Sequence, residues 1–63
     1  MCLSTVYKNE KKPENEVLKN VMRIECSDGK VTLIDFMGRE AVVEGELLCA
    51  DLTGGTVVLR TAV

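Results

Sequence analysis

The pair Asp28-Gly29 constrains this chain more than any other feature. Both residues tolerate positive φ, so Asp-Gly between two apolar segments signals a tight β-hairpin. The flanks agree with that reading. Residues 17–26 can be read as helix or strand, but their second half alternates: Met22, Ile24 and Cys26 against Arg23 and Glu25. Period two favours a half-buried strand. Residues 31–36 (VTLIDF) then form the returning strand.

The same grammar extends in both directions. Residues 3–8 read as a first strand. Residues 8–16 (KNEKKPENE) are polar, hold the only proline, Pro13, and read as a solvated loop. Met37-Gly38-Arg39-Glu40 makes a turn into a strand at residues 40–49, where Gly45 marks a bend or bulge. A loop at residues 51–55 leads to a last strand at residues 56–61. Five short strands joined by tight turns predict an all-β fold: a small, strongly bent antiparallel barrel of SH3-like type, whose closure hides strand edges. Residues 1–63 are expected to form this single domain. The expected core is Leu3 or Val6, Val21 or Met22, Ile24, Val31, Leu33, Val42, Leu47, Val57 and Leu59. Cys26 and Cys49 sit in apolar strand patterns and are expected to pack as small hydrophobes.

A chain of 63 residues builds only a thin core. Domains of that size bury about 60% of their unfolded surface and gain from a staple or an oligomer. Three cysteines, Cys2, Cys26 and Cys49, cannot all pair within one chain. No stretch reads as a signal peptide or a membrane helix, so free thiols in a reducing, cytoplasmic setting are expected. Without disulfides, a homodimer is the natural remedy.

Composition also limits function. The net charge is −2, and the one basic cluster, Lys8, Lys11 and Lys12, is interrupted by acids. Tyr7 and Phe36 are the only aromatics. Nucleic-acid binding is disfavoured, since it needs phosphate neutralisation and stacking platforms. The chain has no histidine, so a catalytic triad lacks its base. Paired Cys-x-x-Cys zinc motifs are missing. Gly54-Gly55 lacks the Lys-Ser/Thr of a phosphate loop. Asp35 reads as a surface or turn-proximal carboxylate, with a buried acid as the alternative. An enzyme is not expected.

Cys2 is the candidate metal ligand. Beside a terminal amine, its thiolate and nearby amide nitrogens can close chelate rings on one ion. If Met1 is removed, Cys2 supplies both amine and thiolate. If Met1 stays, its amine, the Cys2 amide nitrogen and the Cys2 sulfur form the alternative. A mixed nitrogen–sulfur set suits square-planar Ni(II) or Cu(II), and soft thiolates also suit Cu(I) and zinc. One chain offers too few ligands for a closed shell, whereas a twofold dimer supplies two sulfurs to one ion. The bland alternative for Cys2 is a small apolar residue at the start of a strand.

Met1-Cys2-Leu3-Ser4, the Asp28-Gly29 turn after an alternating strand, and Ala50-Asp51-Leu52 followed by Gly55-Thr56-Val57-Val58-Leu59 together resemble the CooT-type nickel-binding proteins. The resemblance covers nearly the whole chain. It implies a homodimeric small β-barrel that binds nickel at the dimer interface through Cys2. It further implies a role in nickel handling for carbon monoxide dehydrogenase maturation, with that enzyme as client. The Met-Cys-Leu start is also similar to the HypC-type chaperones of hydrogenase maturation, which implies a protein-interaction module. Their early Pro-Gly pattern is replaced here by Ser4-Thr5-Val6-Tyr7. A weak RNA-binding barrel is a third reading.

Overall fold

The computed structural model describes residues 3–62. Five strands follow in order: β1 Ser4–Lys8, β2 Glu16–Ser27, β3 Lys30–Asp35, β4 Glu40–Asp51 and β5 Thr56–Thr61. A single 3-10 turn, Pro13–Asn15, interrupts the charged segment between β1 and β2. The strands close into a barrel in the order β1-β2-β3-β4-β5. Four junctions are antiparallel, and the closing seam between β1 and β5 is parallel.

The hairpin forms where the sequence places it. Asp28 and Gly29 have φ of 52° and 74°, the two positive values that a type I′ turn requires. Ser27 pairs with Lys30 across this two-residue turn. From there the register sets the core. Ile24 faces Leu33 and Cys26 faces Val31. On the next strand Val43 faces Val31 and Ala41 faces Leu33.

β2 and β4 each serve two neighbours. β2 pairs with β1 up to Val21 and with β3 from Val21 onward. β4 pairs with β3 up to Glu44 and with β5 from Gly45 onward. The switch in β4 occurs at Gly45, where φ is +156° and an added Cβ would overlap the Arg60 carbonyl oxygen. The bend expected at Gly45 is therefore a corner of the barrel. The parallel seam is clamped at its end by Asn9. Its backbone N–H donates to the Leu59 carbonyl at 2.6 Å, and its side chain accepts from the Thr61 N–H at 2.9 Å.

The core consists of Val6, Val21, Val31, Leu33, Val57 and Leu59, with Val17, Leu18, Ile24, Ala41 and Val43 partly buried against it. Val6 and Val21 thus take the places that the sequence shared with Leu3 and Met22. Val42 is exposed, because the register turns Ala41 and Val43 inward instead. Leu47 faces the buried Leu59, yet it stands at an open side of the barrel and remains half exposed. Cys26 and Cys49 are both exposed, contrary to their expected packing. Cys26 stands at the same open side as Leu47. An irregularity between Leu47 and Cys49 sets Cys49 opposite Val58, whose neighbours Val57 and Leu59 take the inward positions.

Candidate metal centre

Cys2, the expected metal ligand, lies outside the described residues. The structure does fix the strand to which it is joined. Ser4 is buried and stands opposite Val21. Thr5 pairs with Thr56, and its N–H donates to the Gly55 carbonyl at 2.9 Å. Two strands therefore hold the start of β1, and Cys2 is two residues from a rigid anchor.

That anchor lies in a groove of about 430 Å³ between the second halves of β2 and β4. Met22, Ile24 and Cys26 line one wall, and Leu47, Ala50 and Leu52 the other. Sites for small molecules have similar volumes but carry several convergent polar groups. Here only Ser4 and Arg23 contribute a hydroxyl or a charge. The groove is a continuation of the core that the described residues leave uncovered.

Among the described residues the two remaining thiols form no ligand set of their own. Cys26 lines the groove, whereas Cys49 pairs with Val58. Among the described residues no three cysteines, aspartates or glutamates are gathered in a way that would hold a metal ion. Lys12 of the basic cluster pairs with Glu10 at 2.8 Å, which lowers the Glu10 carboxyl and raises the Lys12 ammonium through their shared hydrogen bond.

Asp35 is the buried acid that the sequence offered only as the alternative. It ends β3 and has no exposed surface. Its Oδ1 accepts from the Met37 and Arg39 backbone N–H groups at 2.9 and 2.8 Å. Its Oδ2 accepts from Arg39 Nε at 2.7 Å. Burial pushes the carboxyl up, but these hydrogen bonds and the Arg39 charge outweigh it and hold Asp35 below its ordinary value. The arrangement organises a turn and engages both carboxylate oxygens. Asp35 followed three residues later by Gly38 was the available signal, since aspartate commonly caps its own turn.

Among the described residues no helix is long and apolar enough to cross a membrane. No curated protein matches the chain. The family model described as CO dehydrogenase accessory protein CooT matches residues 1–60, which include Cys2 and every strand but the final residue of β5. A match over nearly the full length, on an all-β barrel of this size, places the chain in the CooT family of CO dehydrogenase accessory proteins.

Proposed function

We propose that this protein carries Ni(II) for carbon monoxide dehydrogenase maturation, in the cytoplasm and without catalysing a reaction. The ligand is Cys2, and two chains share one ion across a homodimer. The observation that carries the reading is the family match, which spans Cys2 and implies a CO dehydrogenase accessory role. The chemistry of the chain supports it. Thiolate and amine or amide nitrogen beside one another suit nickel. The absence of histidine from the sequence favours one stoichiometric site over bulk storage. A single thiolate and its neighbouring nitrogens leave the coordination shell incomplete, so a second copy supplies the rest.

Nickel is the cargo in this reading. Cys2 would hold it, and the start of β1, anchored by Ser4 and Thr5, would present it to the client. The test is a Ni(II) titration of reduced protein, followed by thiolate-to-metal charge-transfer absorption, with Cys2→Ser in parallel. Saturation at one nickel per two chains is expected, with the band lost in Cys2→Ser and the fold retained by circular dichroism. Stoichiometric nickel binding by Cys2→Ser would refute the assignment, and saturation at one nickel per chain would refute sharing.

A further inference from the structure

The first half of β4 has a free edge. β4 pairs with β3 from Glu40 to Glu44 and turns to β5 only from Gly45. The direction of its backbone groups follows from the hairpin. Ser27 and Lys30 flank a two-residue turn and form a hydrogen-bonded pair. Lys30 therefore directs its backbone to β2, and Val31 and Leu33 direct theirs to β4. Two bonds agree with that phase. The Asp35 N–H donates to the Arg39 carbonyl at 2.9 Å, and the Gly45 N–H donates to the Gly29 carbonyl at 2.8 Å. The β3–β4 register is unbroken, so Ala41 and Val43 spend their backbone groups on β3. Glu40, Val42 and Glu44 turn theirs to the side where no described strand pairs.

This edge borders a groove of about 500 Å³, whose apolar lining is Val17, Val42, Val43 and Ala62. It shares no lining residue with the groove beside Ser4. Val17 and Val43 pack against the core and stay partly exposed. Glu40, Val42 and Glu44 alternate onto the outer face of the strand, and all three are exposed.

We propose that this edge takes an extended segment of a partner protein as an added strand, and that the segment reads basic–apolar–basic at alternate positions. Main-chain bonds to Val42 and its neighbours hold such a strand, and side-chain contacts select it. The charges set the pattern. One basic residue stands opposite Glu40 and another opposite Glu44, with an apolar residue opposite Val42. The two residues between them turn inward over Val17 and Val43 and are apolar. Glu44 already has Lys30 opposite it on β3, but Glu40 faces Ile34. Lys8 and Glu16 in the groove lining carry opposite charges, so the excess charge is that of β4. A second copy suits this edge badly. Antiparallel pairing about Val42 would set Glu40 opposite Glu44 twice, and in-register parallel pairing would set each acid opposite itself. The surface is independent of Cys2 and of any metal.

The experiment is amide-resolved NMR of the full chain, titrated with the synthetic peptide Thr-Lys-Val-Val-Val-Lys-Thr and with its counterpart bearing glutamate for lysine. The basic peptide should move the signals of Val17, Val42, Val43 and Glu44 saturably and leave Ile24 and Leu47 in place. The acidic peptide should bind at least about tenfold more weakly. Val42→Pro removes an N–H that takes no part in the β3 ladder, so circular dichroism should be unchanged and peptide binding lost. Glu40→Lys tests the charge without touching the backbone. It should weaken the basic peptide by about threefold to tenfold and strengthen the acidic one. Absence of saturable binding would mean that the acids guard the edge, and it would overturn the proposal. Equal binding of both peptides, or binding unchanged by Glu40→Lys, would overturn the charge pattern. Shifts confined to Met22, Ile24 and Leu47 would overturn the location. Val42 signals that move when the free protein is diluted would put a second copy at the edge instead.

Discussion

β4 turns its corner at Gly45, where the chain passes so close to the Arg60 carbonyl that no side chain fits. β2 turns its corner at Asn20, an exposed residue with φ of 57° that keeps its side chain. The two strands are otherwise alike. Each has 12 residues, and each changes neighbours partway along. Each corner is also tied to a turn on the far side of β3. The Gly45 N–H donates to the Gly29 carbonyl at 2.8 Å, and the Phe36 N–H donates to the Asn20 carbonyl at 3.0 Å. The supports differ in kind. Gly29 belongs to a turn shaped by the two positive φ values of Asp28 and Gly29. Phe36 belongs to a turn held by the buried Asp35 carboxylate. One corner is thus strict in space, and the other depends on a charge.

The sharpest way to break the comparison is Gly45→Ala. A Cβ there meets backbone, which cannot move aside without shifting β5. The φ of +156° adds strain for any other residue. The expected cost is about 3 kcal/mol or more, a large share of the stability of so small a domain. Thermal denaturation followed by circular dichroism should show the midpoint lowered by roughly 15 °C, or no cooperative transition at all. A variant that melts within a few degrees of the parent would mean that β5 is free to move and that the corner is not strict.

The second prediction concerns the charge. Asp35 is held below its ordinary value in the folded chain. Its contribution is therefore present above the unfolded carboxylate value and is lost as pH falls through the depressed folded value. Asp35→Asn removes the titration and the ionic contact with Arg39. At neutral pH the midpoint should fall by on the order of 5–10 °C. The gap between parent and variant should then narrow as the solution is made acid. A gap that stays constant from neutral pH to strong acid would show that the carboxylate's charge does not hold the turn.

These two corners also mark how far the sequence could be read. Gly45 interrupts a run of strand-forming residues, so a bend could be placed there before any coordinates. Asn20 carries no such mark, since asparagine also occurs in ordinary positions of a strand. The alternation from Met22 to Cys26 and the Asp28-Gly29 turn located the hairpin to within a residue. The same alternation could not separate Val42 from its neighbours, because Ala41, Val42 and Val43 are all apolar and only the pairing with β3 turns one of them outward. Cys26 and Leu47 illustrate a different limit. Both face the side of the sheet that the pattern assigns to the core, and both are exposed because no described residue closes that side. A periodicity reports which face is apolar, not whether the same chain covers it. For the candidate site, the sequence singled out Cys2. The buried role of Asp35 emerged only with the turn that surrounds it.

The smallest expected effect belongs to Asn20, and it decides whether the β2 corner is a matter of conformation or of the asparagine side chain. A residue in the left-handed region pays roughly 1–2 kcal/mol unless it is glycine or a residue such as asparagine that tolerates the conformation. Asn20 is exposed, so its backbone is the part the corner uses. Asn20→Gly should then leave stability within about 0.5 kcal/mol, since relief of strain offsets the added freedom of the unfolded chain. Asn20→Ala should cost about 1 kcal/mol, and the β-branched Asn20→Val more. Urea unfolding of the three variants tests the order glycine, alanine, valine. Equal losses in all three would show that the asparagine side chain itself holds the corner. A larger loss for glycine than for alanine would show that β2 does not need the left-handed conformation, and that the support from Phe36 is enough to turn the strand.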